Sequence, residues 1–89
     1  MRRNEYDTPA VALVEAFNAC VGKTVPMVFL RDEFRFHLGG EPKRGQFPFW
    51  LEKMLAVPEV ADSVEVINRT RPGDYTRVWF KVAKPIELV

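Results

Sequence analysis

TVPMVFLRDEFRFHL, residues 24–38, holds Val25, Met27 and Phe29 at alternate positions, then the polar Arg31, Asp32 and Glu33, then Phe34, Phe36 and Leu38 at alternate positions again. Apolar side chains repeating every second residue mark a strand with one buried face. The stretch therefore predicts a hairpin with Phe29 opposite Phe34, Met27 opposite Phe36 and Val25 opposite Leu38. A one-residue slip of that register would bury Arg35 and His37 instead. Asp32-Glu33 supplies no positive-φ turn residue, and Pro26 donates no ladder hydrogen bond, which places it at a strand start or sheet edge.

Upstream, Thr8 followed by Pro9 reads as a helix start and Gly22 as a stop, which frames a helix over about 9–21. Ala10, Leu13, Val14, Phe17, Cys20 and Val21 form its apolar stripe, with Ala12, Glu15 and Ala19 opposite. Downstream lies HLGGEPKRGQFPFW, residues 37–50. Gly39 to Gln46 is expected to be a mobile basic crossover carrying Lys43 and Arg44. Phe47 and Pro48 open a second helix whose Trp50, Leu51, Met54 and Leu55 face the core, with Glu52 and Lys53 outside. Pro58 ends it, with one more short turn over 58–62.

SVEVINR, the turn Arg71-Pro72-Gly73-Asp74 and YTRVWFKVAK then predict a second hairpin, with Val66 opposite Val78 and Val64 opposite Phe80. The element order is αββαββ. It implies an α+β fold in which a four-stranded, mostly antiparallel sheet carries two helices on one face. All 89 residues form one compact domain, with an arm at 1–7 and a tail at 85–89, because a chain of this length supports one core and not two.

With 28% charged residues and a formal net charge of +1, the chain lacks the basic excess of a nonspecific nucleic-acid binder, so any such activity must come from local clustering. The single cysteine, Cys20, excludes an internal disulfide and a zinc site built on several thiolates. No apolar run is long enough to span a bilayer, and Met1-Arg2-Arg3 leads into polar residues, so the expectation is a cytoplasmic protein.

Several motifs look chemical and are incomplete. Val21-Gly22-Lys23-Thr24 matches the end of a P-loop, but Phe17 stands where the first glycine belongs, and the segment closes a helix instead of opening one. His37, the only histidine, sits on the outer side of the predicted first hairpin, facing solvent or a partner, with no metal-ligand spacing around it. Cys20 reads as a small semi-buried hydrophobe. A Cys20–His37 nucleophilic pair lacks an orienting third group and an oxyanion hole. No cofactor, metal or catalytic constellation is expected.

The second hairpin carries the most informative surface. With Val64, Val66, Val78, Phe80 and Val82 on its core side, strand alternation displays Glu65, Ile67, Arg69, Tyr75, Arg77, Trp79 and Lys81 on the other. Tyrosine, tryptophan and arginine concentrate binding energy at interfaces. The bland alternative is a set of cross-strand pairs that cover the sheet: Glu65 with Trp79, Ile67 with Arg77, Arg69 with Tyr75. On the first hairpin the matching outer face presents Pro26, Val28 and Leu30, to be covered by a partner, by a second copy of the chain or by the tail Ile86 to Val89.

Three readings follow. The first is a small noncatalytic interaction module, such as a regulator, adaptor or inhibitor of phage or mobile-element type. It docks a larger protein through Ile67, Arg69, Tyr75, Arg77, Trp79 and Lys81, or forms a homodimer through a sheet edge or the Val28–Leu30 face. The second is single-stranded RNA or DNA binding, with aromatic stacking on the sheet and phosphate contacts from Lys43, Arg44, Arg69, Arg71 and Arg77. The third is a small-molecule enzyme or sensor with a pocket between the helices and residues 39–46.

Overall fold

The computed structural model describes residues 1–71 and 73–89; Pro72, within the second predicted turn, lies outside them. The chain forms helix α1 (Thr8–Asn18), strand β1 (Thr24–Pro26), helices α2 (Met27–Leu38), α3 (Gln46–Leu55) and the short α4 (Pro58–Ala61), then strands β2 (Val64–Ile67) and β3 (Trp79–Val82). Its radius of gyration of 11.8 Å is close to the roughly 12 Å expected of one compact domain of this length. No helix among the described residues is long and apolar enough to cross a membrane.

The predicted first hairpin is absent. Only Thr24–Pro26 is strand, and Met27–Leu38 is a helix. The same apolar residues satisfy a 3.6-residue period: Met27, Leu30, Phe34 and Leu38 fall on one stripe, and Leu30 and Phe34 are fully buried. Phe29 and Phe36, which the hairpin register placed inside, are 41% and 76% exposed. Two local facts favour the helix. Asp32-Glu33 lacks the backbone freedom a tight turn requires. Gly39, at φ +85°, supplies the left-handed cap that ends the helix, its N–H donating to the carbonyls of Arg35 and Phe36 at 3.1 and 3.3 Å.

The sheet consequently has three antiparallel strands in the order β1-β3-β2, and the αββαββ order is replaced by helix, strand, three helices and two strands. β3 is central because it pairs on both sides: Val25 faces Phe80 on one, and Val66 faces Phe80 on the other. The β2–β3 register differs from the predicted one by two residues, with Val64 opposite Val82. A two-residue shift leaves every side chain on its predicted face, so Val64, Val78, Phe80 and Val82 are buried as expected and Val66 is partly buried.

Helix α1 runs through the centre of the core. Ala10 to Val14, Ala16 and Phe17 are all buried, including Ala12, which helical periodicity alone placed outside. α2 and α3 both pack against α1. Phe17 meets Phe80 edge-on at 6.1 Å between centroids, and Phe34 joins α2 to α3 through Phe47 at 5.4 Å. Burying a side chain such as Phe17 or Phe80 contributes about 1.5–3 kcal/mol. Pro58 ends α3's run and also opens α4, the proline position at a helix start.

The terminal segments are not free. Arg3 N–H donates to the Val89 carbonyl at 2.7 Å and Val89 N–H to Met1 at 2.9 Å, while the Asn18 side chain both donates to and accepts from the backbone of Ile86, at 2.8 and 2.7 Å. Ile86 is buried. The tail is thus committed to α1 and the N-terminal arm, and Leu30 lies in the core, so the Pro26–Val28–Leu30 face expected of a hairpin does not exist; Val28 remains exposed on α2.

Candidate functional site

Residues 68–71 and 73–78, between β2 and β3, are not extended ladder, and this changes the predicted interaction face. Strand alternation does not carry through a loop, so Tyr75 turns inward: it is 5% exposed and stacks on Phe80 with 6.3 Å between centroids. Its hydroxyl donates to the Glu52 carboxylate of α3. Arg69 grips the same carboxylate, with one guanidinium nitrogen 3.0 and 2.9 Å from its two oxygens, and lies over the Tyr75 ring at 4.9 Å. The Tyr75 hydrogen bond first, and the Arg69 charge and hydrogen bond after it, hold Glu52 below the usual carboxylate range. Burial first, then the bond to Glu52, push the Tyr75 hydroxyl up. Arg69 and Tyr75 are therefore engaged within the chain, and their partner Glu52 had no sequence signal beyond an outer helix position.

Of the six residues assigned to the interaction face, Arg77, Trp79 and Lys81 stay exposed, while Ile67 is half-buried. The observed ladder pairs are Glu65 with Lys81 and Ile67 with Trp79, replacing Glu65–Trp79 and Ile67–Arg77, while Arg69 does lie against Tyr75, in the loop and not in the ladder. Trp79 lies between Ile67 and Pro26 across the three strands, and Lys81 between Glu65 and Thr24.

The 68–78 loop is organised around the Asp74 carboxylate. It accepts from the Thr76 N–H at 3.1 Å, from the Thr76 hydroxyl and from Thr70 at 3.4 Å, and it pairs with Arg71 at 3.5 Å. The Thr76 side-chain and backbone hydrogen bonds, ahead of the Arg71 charge, lower the Asp74 pKa. Asn68 at φ +65° and Gly73 at φ +81° supply the left-handed turns. Arg71 and Arg77 project from this frame.

The end of the crossover before α3, Lys43 to Gln46, is a hydrogen-bonded turn. Gln46 N–H donates to the Lys43 carbonyl, and the Gln46 side chain accepts from Lys43 N–H, both at 2.9 Å. This reciprocal pair of bonds holds Lys43 and Arg44 at the start of α3, where both side chains are exposed. The basic residues expected in loops at 43, 44 and 71 are thus gathered around one helix. Residues 42–56 and 68–78 together hold six cations (Lys43, Arg44, Lys53, Arg69, Arg71, Arg77) against two carboxylates, Glu52 and Asp74. Because the formal net charge is +1, the remainder of the molecule carries a net negative charge.

The other candidates resolve as packing. His37 lies on α2 with Nδ1 3.1 Å from Glu15 and Nε2 3.6 Å from Glu33, and Arg3 reaches Glu15 at 2.6 Å. This correction to its predicted solvent- or partner-facing position follows from the helix, which turns it toward α1. Cys20 is buried and its thiol is pushed up, first by burial and then by the Glu33 charge, the opposite of activation. Among the described residues no group of three His, Cys, Asp or Glu side chains is placed to hold a metal ion. No protein-family model, curated protein or solved structure matches the chain.

Proposed function

We propose that the protein binds double-stranded nucleic acid, with α3 laid against a groove and the 68–78 loop reaching the adjoining backbone as a wing. The observation that carries this reading is the concentration of cations on α3, on the turn before it and on the loop, in a chain that is otherwise net acidic. The Arg69–Glu52–Tyr75 contacts fasten that loop to α3, so helix and loop present one surface. The ordering of α2, turn, α3 and hairpin corresponds, at the level of architecture, to a helix-turn-helix pair followed by a β-hairpin wing. A helix of this length, about 15 Å long and 10–12 Å across, fits a major groove about 12 Å wide.

The chemistry of the surface favours backbone contact over base reading. Outward-facing α3 residues are Pro48, Phe49, Glu52 and Lys53; Glu52 is already engaged, and the Gln46 amide is tied to Lys43. None of these offers the free bidentate amide or guanidinium that distinguishes bases, so sequence discrimination should be weak. A duplex fits better than a single strand, because stacking requires accessible rings and Tyr75 is buried, leaving Trp79 alone on the sheet. Fluorescence anisotropy with a short duplex and the matching single strand tests the reading. Tighter duplex binding at low salt supports it; absence of duplex binding at low salt ends it.

A second reading rests on a separate observation. Trp79 is 42% exposed between Pro26 and Ile67, with Arg77 and Lys81 beside it, a composition suited to a protein interface. If that row docks a larger protein, Trp79→Ala and Arg77→Ala abolish recovery of the partner and leave circular dichroism unchanged.

A further inference from the structure

A cleft of about 290 Å³ opens between the first turns of α2, the Pro42–Gly45 turn and the start of α3. Three cations line it, Arg31, Lys43 and Arg44, and no carboxylate does. Its accessible apolar lining is Met27, Pro42 and Pro48, with only small parts of the buried Phe47 and Tyr75 reaching it. Among the described residues, Arg2, Arg3, Arg35, Arg69 and Arg71 each have a carboxylate partner within the chain, whereas Arg31, Lys43 and Arg44, like Lys23, Lys53, Arg77, Lys81 and Lys84, have none; what sets the three apart is that they line one cleft.

We propose that this cleft binds a small phosphomonoester bearing a planar ring, of mononucleotide size. The volume sits at the lower edge of ligand pockets, about 300–1,000 Å³, which excludes larger cofactors from full burial. A phosphomonoester carries close to two negative charges at neutral pH and three strong acceptor oxygens, matching three cations on one cleft better than a carboxylate does. Arginine adds planar, bidentate recognition of such a group. The apolar lining then accepts the ring. A duplex backbone is convex and uses the cations without the recess, so the concavity and its Met27, Pro42 and Pro48 lining are explained by a discrete ligand and not by duplex binding.

The same chemistry occurs in a free nucleotide and at a phosphorylated strand end. The test titrates the isotopically labelled protein with adenosine monophosphate, adenosine and inorganic phosphate, followed by amide NMR. The monophosphate is expected to shift the Arg31, Lys43, Arg44 and Gly45 signals and to bind at least about tenfold more tightly than either fragment, since each fragment forfeits one set of contacts. Arg31→Gln, a change at an exposed position, should weaken it about ten- to a hundredfold, the loss of one charge-assisted contact, while Lys84→Gln, outside the cleft lining, leaves it unchanged. Unmoved signals at millimolar monophosphate, equal binding of phosphate alone, or full affinity in Arg31→Gln would overturn the proposal. Displacement of the monophosphate by a 5′-phosphorylated strand but not by its hydroxyl counterpart assigns the strand end as source; failure of both to displace it assigns the free nucleotide. None of the monophosphate titrations involves a duplex, so loss of the duplex reading would leave them standing.

Discussion

Removing Arg71 and Arg77 together gives the most quantitative test of the proposed nucleic-acid surface. Five cations on it, Lys43, Arg44, Lys53, Arg71 and Arg77, are exposed and outside the Arg69–Glu52 pair. If each neutralises one phosphate of a B-form duplex, the slope of log affinity against log salt approaches about −4.5, at roughly 0.9 per phosphate. A fourfold rise in salt, from about 50 to 200 mM, then weakens binding roughly 500-fold. Arg71→Ala with Arg77→Ala leaves three contacts, a slope near −2.7 and a loss of only about 40-fold over the same range. Arg71 shares Asp74 with the loop at 3.5 Å, so its contact is partly compensated and the wild-type slope should fall on the shallow side of that value. Fluorescence anisotropy at four or more salt concentrations measures both slopes, with circular dichroism as the control for folding. A double variant whose slope equals the wild-type slope refutes the assignment of the loop to phosphate contact, whatever its affinity.

Phe34→Ala and Phe36→Ala separate the helix from the hairpin: the fully buried Phe34 should cost about 3–5 kcal/mol, whereas the 76% exposed Phe36 should cost within about 0.5 kcal/mol, both read by urea unfolding; equal losses would favour the strand register. Tyr75→Phe removes the hydrogen bond that most lowers the Glu52 pKa, so carboxyl NMR should show that pKa rising. Because the depressed carboxylate stabilises the fold above the ordinary carboxylate range and loses that contribution as pH falls through its folded value, wild type should lose more stability on acidification than the variant, and identical pH profiles would contradict this. Asn18→Ala breaks both bonds to Ile86; at about 0.5–1.5 kcal/mol each, the variant should lose about 1–3 kcal/mol and expose the tail amides to hydrogen exchange. Native Cys20 should resist alkylation until the chain unfolds, given its full burial.

The elements that were legible in the sequence are those with unambiguous local chemistry. Pro9 and Gly22 framed α1 to within a few residues, Pro48 placed α3, and the valines of 64–67 and 78–82 named the buried face of the second hairpin. That face survived a two-residue register change because side-chain alternation has a period of two. The middle of the chain failed for a related reason. In Met27 to Leu38 the apolar positions fit both periods, since Met27, Phe34, Phe36 and Leu38 serve a strand while Met27, Leu30, Phe34 and Leu38 serve a helix. Twelve residues carry too few hydrophobic positions to separate those patterns, and the choice fell to packing: a helix there buries Leu30 beside α1 and brings Phe34 to Phe47.

The same division applies to the candidate site. Local sequence named the cationic and aromatic residues, because charge and ring chemistry belong to single side chains. Whether each was available depended on contacts between positions far apart in the chain. Glu52, 17 residues before Arg69 and 23 before Tyr75, withdraws both from the surface, and the Gln46–Lys43 bonds turn the end of an apparent linker into a hydrogen-bonded cationic turn. Composition and local pattern thus settled a single α+β domain with a valine-lined sheet face. Folding the chain decided which of its arginines remain free, since an ion pair or stacked ring depends on distance in space, which periodicity does not encode.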